Sequence, residues 1–384
     1  MTDAPDPQDL LVEALDGAAI PETLMETFTP DQVMAWSVER ELWAPRTITA
    51  FDASGSPVGA ALTAARPLSA YRKIVDIVAI NDEVWATLAV AARDDVALDT
   101  DGSRPAPIAV HFEEHLPFAE LTPARRAALA QAGFVPVAAP VPSIPSTRAG
   151  DGALVAGWSY WRGEAPSRTA PYYGQTTDVT CGAVASLMAL EQRGNHTFSA
   201  ESFDDNRAAE IAFWRRATNL PACEPVGLAV ETAKLGRDSG SLPALPRVIL
   251  STPDPVLIEE FATSDWDRQL RTDLQLESLR QAEELGLPIE RRWIEVAEIA
   301  DIVRGGDQVL LLIDLTELIS DPTPHWVLAT DVLGETLVIS DPWVQAPNGE
   351  TWVDTFALPL PFATVDRVTC WGDPAYRGVI VLPA

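Results

Sequence analysis

The sequence predicts an α+β protein of two domains, residues 1–165 and 166–384. Three observations lead there. The chain has 384 residues, 47% of them hydrophobic, which is enough for two ordinary cores. A loop rich in Pro, Ser and Gly at 140–152 and a linker at Gly163–Pro171 interrupt the run of strands and helices near the middle. Beyond the linker, a helix opening at Cys181 precedes a group of late strands, the pattern of a helix lying on an antiparallel sheet.

In the first domain, Pro7–Leu15 and Pro30–Leu42 read as helices, the second opened by the capping signal Thr29-Pro30-Asp31. RTITAFDA, a turn at Ala53–Ser56 and PVGAALTAA follow as two strands, and Arg72–Ile80 as a third. Asp82–Arg93 carries Val84, Leu88 and Ala91 on one side of a helix. PIAVHFEE is a strand, Thr122–Ala132 a helix ending at Gly133-Phe134, and Ala153–Trp161 a last strand.

The second domain begins with the helix after Cys181, apolar at Ala185, Leu187, Met188 and Leu190, with Gly194 as its stop and Thr180 as its N-cap. Helices are expected at Ser199–Asn219, Pro225–Leu235 and Asp265–Leu285. Strands are expected at Leu242–Leu250, Trp293–Val296, Val309–Leu318, His325–Val332, Thr336–Ile339 and Gly378–Leu382.

One stretch demands chemistry. Gln175 stands six positions before Cys181, which falls in the first turn of its helix. There the positive end of the helix dipole favours the thiolate, the nucleophilic form. Gln175 is placed to donate its amide N–H to an oxyanion beside the sulfur. A thiolate needs a base, and the base an orienting group. His325 opens the apolar strand HWVLATDV, and Asp341 follows sixteen positions later in LVISDPW. The bland alternatives are ordinary: a lone cysteine on an apolar helix is usually a small buried hydrophobe, and a histidine at a strand start is usually structural. Four residue types in this order outweigh them.

That order, with a gap of 144 residues between Cys181 and His325, resembles the papain-like cysteine hydrolases, whose histidine follows at about 130–150 residues. Asp341, together with QTTDVTCGAVASLMAL, resembles the C39-like peptidase branch, and EIAFWRRATN (Glu210–Asn219) and PVGLAVETAKLG (Pro225–Gly236) fit the same family. The resemblance implies a cysteine hydrolase cleaving a peptide or amide bond. In it Cys181 is nucleophile, His325 base, Asp341 orienter and Gln175 oxyanion donor, with no cofactor or metal. Delivery of the same thioester to an amine, as in an acyltransferase or transpeptidase, and a non-catalytic binding role are the alternatives. Asp178 and Thr180 beside the nucleophile suit turn and cap duties, Cys223 a structural one. Trp326 and Trp343 flank the base and the orienter.

Facing residues constrain how His325 meets Asp341. A tight turn at Gly334-Glu335 pairs Leu333 with Thr336, which sets His325 against Val344 and Asp341 against Leu328, on opposite faces. Contact therefore requires an odd-length loop or a bulge in the hairpin.

The first domain, with its hairpin turn SGSPVG, central strand, helix, strand and helix ending in AGF, resembles a GNAT acetyltransferase α/β sandwich. That family binds acetyl-CoA pyrophosphate on a glycine loop before the helix, here near Ala79–Glu83. No glycine occurs between Gly59 and Gly102, so the cradle is missing and a degenerate module is expected. His111 and His115 in HFEEH lie in a strand-like run, about 13 Å apart, too far to share a metal.

Net charge is −29, which argues against nucleic acid and anionic membranes as partners. Cys181, Cys223 and Cys370 are odd in number and widely spaced, with no disulfide or zinc pattern. The acidic N-terminus lacks a signal-peptide pattern and no apolar run is long enough to span a membrane, so a cytoplasmic location is expected.

Overall fold

The computed structural model describes residues 10–95, 105–147, 152–217 and 222–384. Contacts divide the chain into two units. The first holds Met1–Ala139, Ala153–Glu164 and Gln345–Asp354; the second holds Pro140–Gly152, Ala165–Val344 and Thr355–Ala384. The sequence suggested one boundary near residue 165. In the structure a ten-residue stretch far along the chain, 345–354, packs with the first unit.

The first unit is a seven-stranded sheet with helices against it. Its strands are β1 (Leu11–Asp16), β2 (Arg46–Phe51), β3 (Pro57–Ala64), β4 (Tyr71–Ala79), β5 (Ala109–His115), β6 (Val135–Pro136) and β7 (Val155–Trp161), in the order β1-β2-β3-β4-β5-β7-β6. Helices α1 (Pro30–Trp36), α2 (Asp82–Asp94) and α3 (Pro123–Gln131) complete it. α1 is opened by the expected signal: Thr29 accepts from the Gln32 backbone, and the Gln32 side chain accepts from Thr29 N, a full capping box. The core gathers Ile48, Ile74, Trp85, Leu88, Phe112 and Phe134.

Strands β4 and β5 run parallel, joined by the α2 crossover, and their pairing covers Tyr71–Ile74 and Ala109–Phe112 only. This element order and single parallel pair are those of the GNAT-like sandwich that the sequence suggested. The Pro7–Leu15 helix is not formed. Residues 7–9 lie outside the described residues, and Leu11–Asp16 instead pair antiparallel with β2, Leu11 facing Phe51. Pairing along a ready sheet edge outweighs local helix propensity.

The second unit sets α4 (Cys181–Gln192), α5 (Phe203–Ala217), α6 (Pro225–Ser239) and α7 (Asp265–Leu285) with a second seven-stranded sheet. Its strands are β8 (Arg247–Leu250), β9 (Ile289–Glu290), β10 (Gln308–Asp314), β11 (Pro324–Leu333), β12 (Thr336–Ser340), β13 (Leu358–Pro361) and β14 (Gly378–Leu382), ordered β13-β12-β11-β10-β14-β8-β9. Helices α8 (Val296–Arg304), α9 (Thr316–Ile319), α10 (Trp352–Thr355) and α11 (Phe362–Val368) are shorter, and α10 spans the point where the chain leaves the 345–354 stretch.

Three expectations change here. Leu242–Leu250 shrinks to Arg247–Leu250, since Pro243 and Pro246 cannot donate to a ladder. Trp293–Val296 is not a strand; Val296 begins α8, whose Val296, Ile299, Ala300 and Val303 are buried at helical spacing. The run from Val309 ends as a strand at Asp314, whose Oδ1 accepts from Thr316 N and turns the chain into α9.

Candidate active site

α4 is buried on nearly every side, from Cys181 through Leu190. It packs on β10 and β11 of the sheet and against α5 and α6. Gly182 makes the close approach possible: a Cβ there would lie 3.0 Å from Leu228, 3.1 Å from Cys223 and 3.1 Å from Trp326. The helix start thereby sits against β11, the strand that carries His325.

His325 Nε2 lies 2.6 Å from Asp341 Oδ1. Both side chains are almost wholly buried, at 3% and 0% exposure. With Nε2 committed to Asp341, Nδ1 is the ring nitrogen left for Cys181, which lies close enough to act on the protonation of the imidazole. Burial pulls the His325 imidazole down, but the charges of Asp341 and Cys181 and their hydrogen bonds more than reverse this, and its pKa rises to about 10. The site therefore favours the imidazolium form of His325 against the Asp341 carboxylate.

The hairpin supplies this contact through a bulge. Leu333 faces Thr336 and Asp331 faces Val338, as a two-residue turn requires, but then Ala329 faces Ile339 and Leu328 faces Ser340. Thr330 is the extra residue. One more step along that ladder sets Asp341 against Val327, on the face that carries His325 and diagonal to it. The expected alternative of a longer loop is not used: the turn stays tight and the bulge corrects the faces.

Asp341 is held from all sides. Its N–H donates to Thr355 O at 2.9 Å, its carbonyl accepts from Tyr172 Oη at 3.0 Å, and Oδ1 also accepts from Trp343 N at 2.8 Å. Gln175 lies on the loop before α4 with its N–H on Pro342 O at 2.9 Å, one residue past Asp341. One hydrogen of its Nε2 goes to Thr177 O at 2.8 Å, which leaves the second, and its buried Oε1 has no partner.

The remaining candidates fall elsewhere. Thr180 does not cap α4 with its hydroxyl; Oγ1 turns to Glu210 instead. Asp178 is exposed on the turn. Cys223 is fully buried, its thiol pushed well up first by burial and then by Cys181 and Glu224. Trp326 Nε1 donates to Cys223 O at 2.9 Å, tying that segment to β11.

Sequence reasoning gave no role to Glu210, although its segment was noted. Glu210 is buried with Asn206, Phe213 and Ala217 on the inward face of α5 and bonds the loop between Gln175 and Cys181. Only its place on that apolar face could have signalled it.

In the first unit, Asn81 Oδ1 accepts from Val84 N at 2.8 Å and closes the α2 N-terminus, where a pyrophosphate would sit in the GNAT resemblance. His111 and His115 occupy β5 separately: His111 Nδ1 meets Val353 O at 2.9 Å, and His115 Nε2 lies 3.3 Å from Glu113 Oε2. Among the described residues no group of three or more His, Cys, Asp or Glu side chains is arranged to hold a metal ion. None of their helices is long and apolar enough to cross a membrane.

Residues 170–383, more than half of the chain, match DUF3335, described as the Peptidase_C39 like family. The chain belongs to this family, and its second unit is a papain-like hydrolase fold at the family level. No curated protein matches it. Solved structures similar to part of the chain include the spermidine N-acetyltransferase from Vibrio cholerae in complex with CoA and spermine. That match has 13% identity and a TM-score of 0.27, and covers 40% of this chain and 96% of that one. A chimera of the Vibrio cholerae enzyme SpeG with hSSAT has 12% identity and a TM-score of 0.26, over 40% and 96% of the two chains. At these scores the description of the first unit rests on its own topology.

Proposed function

We propose that the second unit is a cysteine hydrolase acting on a peptide or amide bond, with Cys181 as nucleophile, His325 as base, Asp341 as orienter and Gln175 as oxyanion donor. The observation that carries this reading is the His325 Nε2–Asp341 Oδ1 contact of 2.6 Å, on a ring whose protonation Cys181, at a helix start, also raises.

The chemistry follows from the geometry. His325 holds the proton of the Cys181 thiol, and the thiolate sulfur attacks the carbonyl carbon. The carbonyl π electrons move to oxygen, where the Cys181 N–H and the second Nε2 hydrogen of Gln175 stabilise the charge. Collapse breaks the C–N bond, and the imidazolium gives its proton to the departing amine. Water then attacks the thioester with neutral His325 as base, releasing the acid and restoring the thiol. Asp341 keeps the imidazole in one orientation through both steps.

The test is alkylation with iodoacetamide followed by intact-mass and peptide analysis. The expected result is rapid modification of Cys181 ahead of Cys223 and Cys370. Cys181→Ala should abolish both labelling and burst acylation by p-nitrophenyl acetate while leaving the thermal unfolding midpoint nearly unchanged. A Cys181→Ala protein with full activity, or wild-type labelling that favours Cys370, would remove the assignment.

A further inference from the structure

The loop from Tyr173 to Thr180 carries Gln175 and delivers the chain to Cys181, so it sets the spacing between the two oxyanion donors. Loops of this kind are the softest part of a site unless something fixes them. Here one side chain bonds both ends and the middle. Glu210 Oε1 accepts from Thr176 N at 2.9 Å and from Thr180 Oγ1. Glu210 Oε2 accepts from Thr176 Oγ1 at 2.6 Å and from Tyr173 Oη at 2.9 Å. All four bonds land within two residues of Gln175 or next to Cys181.

Glu210 has 0% exposure. Burying a carboxylate without a cation is costly, so such a group persists only where its hydrogen bonds are nearly complete. Among the described residues no Arg or Lys hydrogen-bonds or pairs with Glu210; its donors are one backbone N–H and three hydroxyls. Burial raises its carboxyl above the usual range, and the bonds from Thr176, Thr180 and Tyr173 oppose this. The Glu210 bonds all go to residues 173–180, while His325 has Asp341 as its carboxylate.

Resting on the hydrolase reading, we propose that Glu210 is a positioning residue for the reaction at Cys181: its carboxylate clamps residues 173–180 and so fixes the distance between the Gln175 amide and the Cys181 N–H. It touches no reacting atom. Its role is geometric, because three of its four donors are hydroxyls that can turn and accept, so an amide of the same shape can keep the clamp while a hydrocarbon cannot.

The experiment separates two reactions of the same sulfur. Alkylation by iodoacetamide passes through no oxyanion, whereas acylation by p-nitrophenyl acetate does. In Glu210→Leu, acylation of Cys181 should fall about a hundredfold, the order of one lost oxyanion donor, while alkylation stays within about threefold of wild type. Glu210→Gln should recover most of the acylation rate. In a Gln175→Ala background, Glu210→Leu should cost much less than in wild type, since both changes act on one element. Thr176→Val, a milder cut at the same clamp, should lower acylation alone by several-fold, and it carries the test if Glu210→Leu does not fold. Equal loss of both reactions, a Glu210→Gln as slow as Glu210→Leu, or fully multiplicative effects with Gln175→Ala would each overturn the clamp. Failure of the wild type to acylate at Cys181 would instead bring down the hydrolase reading, and this inference with it.

Discussion

Two buried polar constellations, one in each unit, differ in what they leave unspent. In the first unit, Arg66 donates to Glu350 through Nε at 2.7 Å and through a second nitrogen at 2.6 Å, and Trp43 Nε1 adds another bond to Glu350 at 2.7 Å. Lys73 Nζ reaches Asp354 at 2.6 Å, Glu113 at 2.7 Å and Gly349 O at 3.0 Å, and Tyr71 Oη reaches Asp354 at 2.6 Å. Every partner comes from the unit's own chain, chiefly the 345–354 stretch. The Cys181 site, by contrast, keeps a sulfur at a helix start, an amide hydrogen on Gln175 and an unpartnered Gln175 Oε1. Burial and charge alone do not define a site. In the first cluster the charged heads face opposite charges of the same fold, though Glu113 Oε2 accepts no hydrogen bond, whereas the second site holds its open groups beside a sulfur at a helix start.

The sharpest test of this contrast is His325→Ala. It should lower Cys181 acylation about a millionfold, the scale of losing a triad base, and should also lower the unfolding midpoint, because Asp341 is left buried without its partner. A variant that loses stability but still acylates at Cys181 would make the His325–Asp341 pair structural, like the first cluster.

Lys73→Met probes the other side. It leaves Glu113 and Asp354 buried without their cation, which costs about 3–5 kcal/mol of stability. Calorimetric unfolding should show that loss, while alkylation of Cys181 well below the transition stays unchanged. An undisturbed melting curve would show that the cluster is not closed in the way described.

Asp341→Asn should have a smaller effect, visible in the pH dependence. The folded pKa of His325 is raised from 6.5 to about 10, so the folded protein keeps a proton that the unfolded chain gives up between these values. The pair's contribution to stability is complete below about pH 6.5 and is lost as pH rises through about 10. The His325 ring should accordingly stay protonated between about pH 7 and 9, as read from its ring-proton NMR shifts. Asp341→Asn should bring that titration back toward the ordinary range and lower acylation at Cys181 by about ten-thousandfold. A wild-type ring that loses its proton below about pH 8 would show that the imidazolium is not held.

The smallest expected effect is none at all. Titration of the protein with acetyl-CoA should release no measurable heat, because Asn81 already occupies the α2 N-terminus and no glycine loop precedes it. Micromolar binding would mean that the first unit keeps an open site.

Much of this was legible in the sequence because it is local. The Thr29 cap, the strand pattern of β2 to β4 and the 21-residue α7 follow from short-range periodicity and capping chemistry. The first strand was misread because Leu11–Asp16 takes its structure from β2, thirty residues or more away. The identity of Cys181, His325, Asp341 and Gln175 came from residue type and order, and parity alone demanded an irregular hairpin.

What the sequence determined by itself was therefore which residues face which way within one element, since side-chain period is set by backbone geometry. Tertiary structure decided the rest. It placed the bulge at Thr330 rather than in the turn, brought Glu210 to Thr176 and Thr180 across thirty or more residues, and joined 345–354 to the first unit. These are choices among long-range pairings that no local pattern encodes. The last two give buried carboxylates their partners, at Glu210 in the second unit and at Glu350 and Asp354 in the first.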